Sequence, residues 1–180
     1  MSPLEARPFD PAEAAVVSSW IHDEADAVAW GGPGVHYPLD ESQWAQMLAD
    51  PARTLWTPTL DGGLAGHFQL ARDPRRNAVR LGRVAIAPGL RGRRLGTALA
   101  RLACALAFRA DPALHRVELQ VYEHNAAARA AYAAAGLTTE GVMREDVPVR
   151  SNGQLAVWST VIMAVLRPEW ERNAPSSAPG

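Results

Sequence analysis

The chain has 180 residues, 48% of them hydrophobic and 21% charged, which is typical of a globular protein with one core. Its formal net charge of −1 disfavours a general attraction to nucleic acid or to an anionic membrane. All 18 basic residues are arginines. A Walker-type phosphate loop and a Schiff-base mechanism are therefore excluded, because both need lysine.

The single cysteine, Cys104, excludes an internal disulfide bond, and its apolar helical surroundings favour a packed side chain over a catalytic thiol. The sequence shows neither a signal peptide nor an apolar run long enough to cross a bilayer. We therefore expect a cytoplasmic protein with no membrane partner.

The N-terminal half is predicted to contain four strands and two helices. A helix begins after Asp10 with a capping box, and a second begins at Asp40 or Ser42. Asp61-Gly62-Gly63 lies between two extended segments and predicts a β-hairpin. The strands are predicted over 4–9, 54–60, 64–71 and 78–87.

The C-terminal half is predicted to continue with two helices and three strands. One helix ends near Ala110, and another ends at Gly136. Ser151-Asn152-Gly153 predicts a second hairpin. The strand before the first of these helices and the strand after it should be parallel neighbours. The strands are predicted over 115–122, 137–149 and 154–166.

These elements predict an α+β fold with a mixed, mostly antiparallel sheet of about 6–7 strands and about four helices. The predicted domain covers residues 4–168. Residues 169–180 are predicted to form a flexible tail, because their composition turns to Asn, Ala, Pro, Ser and Gly.

The segment from Leu81 to Leu106 carries the clearest functional signal. An apolar strand ends at Pro88, and a helix begins within the glycine- and arginine-rich turn of residues 89–96. The free N–H groups at a helix start bind anions, and glycines let a ligand approach the backbone. The pattern favours a phosphate or pyrophosphate site, with an ordinary basic surface turn as the alternative.

A second segment follows the strand over 115–122. Asn125 stands where this strand ends and a helix begins, and Tyr132 and Gly136 follow at helical spacing. A strand-end asparagine and a tyrosine two turns along the helix can both face the gap beside the first segment.

Together the two segments resemble the GCN5-related N-acetyltransferase (GNAT) superfamily. Its signatures are Gln/Arg-x-x-Gly-x-Gly/Ala, which here runs from Arg91 to Gly96, and Asn-x-x-Ala-x-x-x-Tyr-x-x-x-Gly, which here runs from Asn125 to Gly136. The resemblance covers about residues 4–170. Residues 137–144 and Glu169-Trp170 are most similar to the branch with ribosomal-protein N-terminal (ribosomal-protein-alanine) and small-amine acetyltransferases.

The resemblance implies direct transfer of an acetyl group from acetyl-CoA to a primary amine, without a metal. The acceptor would be a small-molecule amine or a protein N-terminus. Tyr132 would be the general acid, and Glu118 is the first candidate for the general base. The cofactor-binding residues that it implies are Val84, Ile86, Arg91, Gly92, Arg93, Arg94, Leu95, Gly96, Thr97 and Asn125.

Other candidates stay open for the base and for the acceptor pocket. The base could instead be a water chain or a side chain outside the signatures, namely His67, His22, Asp23 or Glu24. The acidic patch over residues 22–26 would suit a cationic amine. Four tryptophans could wall the pocket: Trp20, Trp30, Trp44 and Trp56.

The chain departs from the family pattern at two places. Arg94 replaces the first signature glycine, and it can contribute charge to the pyrophosphate site if its backbone is helical. The stretch Leu155-Ala156-Val157-Trp158 lacks the acid that the related branch carries after its last hairpin. Exposed strand edges at that hairpin would be compatible with a homodimer.

Three other classes of protein are compared with this interpretation. A non-catalytic CoA-binding domain of the same fold is the main alternative. A dinucleotide-binding domain is excluded, because Gly89, Gly92 and Gly96 do not give Gly-x-Gly-x-x-Gly. Nucleic-acid binding is disfavoured by the neutral overall charge.

Overall fold

The computed structural model of the protein describes residues 3–151 and 153–173. Within them the chain forms one eight-stranded sheet and six α-helices. The strands are β1 (Glu5–Pro8), β2 (Arg53–Leu60), β3 (Gly63–Leu64), β4 (Gly66–Asp73), β5 (Ala78–Ile86), β6 (Arg116–Tyr122), β7 (Thr138–Ser151) and β8 (Gln154–Leu166). The helices are α1 (Ala14–Ser18), α2 (Glu24–Gly31), α3 (Glu41–Ala49), α4 (Leu95–Ala110), α5 (Ala126–Ala135) and α6 (Arg167–Asn173).

The sheet is mixed and mostly antiparallel, which confirms the predicted α+β class. Its strand order is β1-β2-β4-β5-β6-β8-β7, with the short β3 paired to β2. Only β5 and β6 pair in parallel in the described chain, and α4 connects them as the predicted crossover. The additional strand relative to the prediction is β3, and the additional helices are α2 and α6.

Both predicted hairpins are confirmed. Asp61 and Gly62 connect β2 to β3 with positive φ angles of 51° and 79°, the conformation that an Asp-Gly turn favours. β7 and β8 pair as far as Ser151 with Gln154. Asn152, in the predicted turn of that hairpin, lies outside the described residues.

Two main clusters of buried side chains form the core. The larger one includes α4 and α5 and the strand residues Phe68, Leu81 and Val117. The smaller one includes α1 to α3 and is rich in aromatic residues such as Trp30 and Trp44. Burial of each large apolar side chain contributes about 1.5–3 kcal/mol, so both clusters hold their helices firmly to the sheet.

Cys104 belongs to the larger cluster and is fully buried. Burial raises the pKa of its thiol to about 12, so the thiolate that a nucleophile requires is strongly disfavoured. Cys104 is therefore a packing residue, in agreement with the interpretation of its sequence context.

The C-terminal helix α6 packs back onto the domain. Trp170 stacks on Phe108 with a ring separation of 5.9 Å, and the Arg167 guanidinium donates hydrogen bonds to the carbonyls of Phe108 and Leu114. Residues 169–173 of the predicted tail thus lie in this helix. Residues 174–180 lie outside the described residues.

None of the helices that the structure describes has both the length and the apolar character needed to cross a membrane. In the same part of the chain, no three His, Cys, Asp or Glu side chains lie close enough together to hold a metal ion.

Candidate active site

The strands β5 and β6 separate part-way along their length. Their pairing runs from Ala78 with Arg116 to Leu81 with Leu119, but β5 continues to Ile86 and β6 to Tyr122. Beyond this point each strand keeps its other neighbour, β4 or β8. The two inner strand edges therefore offer backbone N–H and C=O groups to an extended ligand.

A cavity of about 1060 Å³ occupies this fork. It combines the end of β5, the turn before α4, the first turns of α4, the end of β6 and one face of α5. Neither Arg93 nor Glu118 lines it. The predicted site residues that do line it are Val84, Ile86, Arg91, Gly92, Arg94, Leu95, Gly96, Thr97, Asn125 and Tyr132.

The start of α4 differs from the starts of three other helices. Its N-cap residue, Arg94, makes no side-chain capping hydrogen bond, and its first turn has no acidic residue. The first backbone N–H groups of α4 therefore have no acceptor within this helix. Their partial positive charge faces the cavity. In α2, α3 and α5, the side-chain oxygen of the N-cap residue accepts a hydrogen bond from a first-turn N–H group. These N-cap residues are Asp23, Asp40 and Asn125.

The backbone of Arg94 is not helical, contrary to the condition set from the sequence. Its φ of 60° and ψ of 16° are left-handed, and Gly92 nearby has a φ of 78°. The left-handed conformation is strained for any residue with a Cβ atom. A glycine at position 94, as in the family signature, would adopt it freely, whereas Arg94 adopts it under strain and places its side chain at the cavity wall.

Tyr132 lies on α5 at the inner wall of the cavity and is 8% exposed. Burial raises the pKa of its phenol to about 12, so the O–H proton is retained at neutral pH. Asn125 begins the same helix, and its Oδ1 accepts the Ala128 N–H at 3.1 Å. The Asn125 amide nitrogen is thereby oriented and can donate a hydrogen bond elsewhere.

Glu118 does not line the cavity, although it lies on the same strand, β6, as residues that do. Its carboxylate is 2.7 Å from Arg76 Nη1, 3.1 Å from Arg116 Nε and 3.5 Å from Arg80 Nη2. The lining of the cavity begins at Leu119, so Glu118 precedes the fork along β6. This buried carboxylate is held by three guanidiniums, and the structure does not bring it to the other site residues.

His67 lies in the aromatic cluster rather than in the cavity lining. Its ring is fully buried against Phe9, Trp30 and Trp44, and neither ring nitrogen has a hydrogen-bond partner within the described structure. Burial lowers the pKa of His67 to about 3. This histidine is therefore neutral at physiological pH, and it does not line the cavity.

The opposite end of the cavity is built in part from α2, a helix that was not predicted. Asp23 caps α2 by accepting the Asp26 N–H at 2.8 Å, and the helix ends at Gly31 with Gly32 as its C-cap residue. Of the acidic patch over residues 22–26, only Asp26 lines the cavity. The residues at this end are Trp20, Ile21, Asp26, Ala29, Trp30, Arg83 and Tyr122, whereas Trp44 and Trp56 do not reach it.

Comparison with known proteins supports the motif assignment. Residues 18–137 match the family model of the acetyltransferase (GNAT) family. Uncharacterized N-acetyltransferases of Mycobacterium bovis and Mycobacterium tuberculosis are 34% identical over 103 residues. This match covers 57% of the chain and 64% of each relative, so the chain spans less than two thirds of their length.

Solved structures share the fold at low sequence identity. Spermidine N-acetyltransferase from Vibrio cholerae, in complex with CoA and spermine, has a TM-score of 0.76 at 18% identity, covering 95% of this chain and 99% of that one. AAC(6')-Ib in complex with ribostamycin and coenzyme A has a TM-score of 0.75 at 19% identity, covering 98% and 100%. On its match to the family model, with the fork and both signatures in place, the chain belongs to the acetyltransferase (GNAT) family.

Proposed function

We propose that this protein transfers an acetyl group from acetyl-CoA to the primary amine of a small molecule. One observation carries the proposal: the fork between β5 and β6 holds, in a single cavity, the uncapped start of α4 and the protonated phenol of Tyr132. The first feature suits a pyrophosphate and the second suits a departing thiolate.

The donor half of the cavity fits coenzyme A in charge and in shape. The turn before α4 supplies the guanidiniums of Arg91 and Arg94, and Arg101 follows one to two turns into the helix. Arg91 is itself oriented, because its Nε donates to the Ile86 carbonyl at 3.2 Å. The backbone N–H groups of Leu95 to Thr97 would receive the pyrophosphate, and the free edge of β5 from Val84 to Ile86 would pair with the pantetheine arm.

Acetyl-CoA supplies an acyl group activated as a thioester. The protein has to hold it beside the amine, let the proton that the amine loses leave through a chain of water molecules, and return a proton to the sulfur as the carbon–sulfur bond breaks. We assign this proton to Tyr132 Oη, since its raised pKa keeps the proton available over the whole physiological range. Asn125, at the start of the same helix, would hold the pantetheine arm with its free amide nitrogen.

A small-molecule acceptor is favoured by the way in which α2 encloses the other end of the cavity. Val28 of α2 packs against Val147 and Val149 of β7 in a separate buried cluster. Trp20 and Trp30 add apolar walls on the inner side. The solved relatives in complex with spermine and with ribostamycin accord with an amine acceptor. A protein N-terminus is the other acceptor class expected from the sequence. It would have to enter the cavity past α2, where this helix packs against β7.

A coupled assay with a panel of primary amines tests the proposal, with detection of free CoA and of the acetylated amine. Tyr132→Phe should lower kcat by about 100-fold or more, because a general acid contributes a factor of that order. The affinity for CoA and the unfolding temperature should change little, since phenylalanine retains the buried ring.

Tyr122→Phe is the matched control, because Tyr122 also lines the cavity but lies on β6. This variant should retain most of its activity. Equal CoA release by the native protein and Tyr132→Phe, without an acetylated product, would contradict catalysis and favour a CoA-binding domain.

A homodimer stays a prediction from the sequence. The exposed side chains of Val142, Leu155 and Val157 on the last hairpin give it an apolar surface that association would cover. Light scattering after size-exclusion chromatography tests it, and a monomer at high concentration would contradict it.

A further inference from the structure

Arg83 lies at the fork where β5 leaves β6, in a conformation that is unusual for an arginine. The register of β4 and β5 shifts between His67 and Gln69, so β5 carries a bulge there, and Arg83 has a φ of 49°. A bulge redirects the side chain that it carries, and a left-handed backbone is strained for arginine. Strain of this kind at a cavity wall is characteristic of functional positions.

The groups that the guanidinium of Arg83 contacts directly are neutral. It donates a hydrogen bond to Gln69 Oε1, and its central carbon is 5.7 Å from the centre of the Trp30 ring. Its Nε is buried without a hydrogen-bond partner. Within residues 3–151 and 153–173, Arg83 forms no ion pair, whereas the neighbouring Arg53 is paired with Asp50 at 2.5 Å.

This environment disfavours the positive charge that Arg83 carries. Burial lowers the pKa of Arg83 to about 10, and the nearby charge of Arg53 adds to the effect. The carboxylate of Asp50, which is paired with Arg53, opposes the shift only in part. A partly buried cation without an ion pair of its own is costly, and an anion that reaches it is bound strongly. Arg83 lines this cavity and also a smaller one of about 260 Å³ beside Asp50 and Arg53. In the larger cavity, a substrate can supply Arg83 with a negative charge of its own.

The other residues at this end of the cavity suit a substrate of both charges. Asp26 is the one acidic side chain among the described residues that line the cavity. Trp20, Ile21 and Trp30 provide an apolar wall between them. A polyamine with several positive charges would meet one carboxylate and one guanidinium, which is a poor electrostatic match.

We propose that Arg83 binds a carboxylate of the acceptor, so that the acceptor is an amine that also carries a carboxylate, as an amino acid does. Asp26 attracts the ammonium group of the same molecule, and the apolar wall accommodates its side chain. This inference rests on the proposed acetyl transfer and identifies the substrate class of that same site.

The test compares acceptors that differ only in the carboxylate. The full chain with acetyl-CoA is given L-phenylalanine or L-phenylalaninamide, L-methionine or L-methioninamide, and spermidine, and the acetylated products are quantified by mass spectrometry. The acids should have values of kcat/KM about 10- to 100-fold above their amides, as expected for a charge-assisted hydrogen bond. Amides carry the more readily deprotonated amine, so amine reactivity alone would give the opposite preference.

Arg83→Gln, with Arg53→Gln as the matched control, assigns the preference to one residue. Arg53 lies nearby but is already ion-paired and does not line the main cavity. Arg83→Gln should raise KM for the acids, leave the amides unchanged and retain CoA affinity, whereas Arg53→Gln should keep the preference.

Three results would overturn the inference. Native protein that acetylates the amides or spermidine as well as the acids contradicts the substrate class but leaves acetyl transfer intact. Equal losses for acid and amide in Arg83→Gln would make Arg83 a structural residue of the bulge. Native protein that acetylates no amine contradicts the proposed function and this inference together. If Arg83→Gln does not fold, the comparison of acids with amides on the native protein decides.

Discussion

Arg94→Gly tests the strained start of α4 directly. The left-handed backbone at a non-glycine residue costs about 1–2 kcal/mol, which glycine removes. Glycine also gains about 0.4–1 kcal/mol of conformational freedom in the unfolded chain. Since Arg94 makes no capping hydrogen bond and is exposed, little else is lost. The free energy of unfolding should therefore rise by about 0.5–1 kcal/mol.

Arg93→Gly is the matched control, because it removes the same charge one residue earlier. Arg93 has no positive φ and does not line the cavity. Glycine there gives only the entropic loss of about 0.4–1 kcal/mol. The unfolding temperatures of the two variants should therefore differ by about 2–8 °C in thermal denaturation followed by circular dichroism without ligand.

The two variants should also differ in their affinity for CoA. Here Arg94→Gly, the more stable variant, should bind CoA more weakly than Arg93→Gly. Arg94 faces the cavity, so its loss should weaken CoA binding about two- to fivefold, as for an exposed ion pair, by titration calorimetry. Arg93→Gly should change the affinity less. If Arg94→Gly is destabilised as much as Arg93→Gly, position 94 is not strained and the explanation for the family glycine is wrong.

Three further outcomes are expected. Gly66→Ala should lower stability by about 1–3 kcal/mol in urea unfolding, because its Cβ would lie 2.3 Å from the Ala85 carbonyl oxygen. Gly63→Ala should lose far less stability, because its Cβ would lie 3.5 Å from its nearest neighbour. Equal losses in the two variants would contradict the clash at Gly66. Glu118→Gln should lower the urea midpoint without changing kcat per folded molecule; a lost kcat at unchanged stability would restore it as a base. The native protein should lose about 1.4 kcal/mol of stability per pH unit as pH falls from 6.5 towards 3, because only the unfolded histidine is protonated in that range. His67→Leu should remove this loss. Equal dependence of stability on pH in the two proteins would contradict the buried neutral state of His67.

The donor half of the site could be predicted because its signals are local. The turn before α4 needs a residue at positive φ, and Gly92 supplies it at 78°. Gly136 ends α5 at a φ of 106° in the same way. The crossover from β5 to β6 follows from the order of elements, and the two signatures are attached to its ends. Sequence spacing therefore sufficed to place Asn125 and Tyr132 beside the turn.

The acceptor half could not be predicted, because its residues depend on tertiary placement. The predicted strand over residues 115–122 includes Glu118, but its sequence does not show that the fork opens only after Leu119. Helix α2 was not predicted, although Asp23 accepts the Asp26 N–H as its N-cap. The bulge at Arg83 has no sequence marker, since the usual marker of a left-handed residue is glycine.

The strained residues of the described chain connect these two halves. Positive φ angles at non-glycine residues occur at Asp61, Asn77, Arg83, Arg94 and Glu145. Asp61 and Asn77 are residue types that tolerate this conformation in turns. Arg83 and Arg94 do not, yet both line the cavity, one at the acceptor end and one at the donor end.

If strain at Arg83 and Arg94 serves two separate ligands, their effects should be separable. Arg94→Gly should change the affinity for CoA and leave KM for the acceptor, whereas Arg83→Gln should do the reverse. The double variant should then show additive changes in free energy, since the two side chains face different ends of the cavity and share no partner. A strong coupling energy would instead mean that the two arginines bind one ligand, and the division into donor and acceptor ends would be wrong.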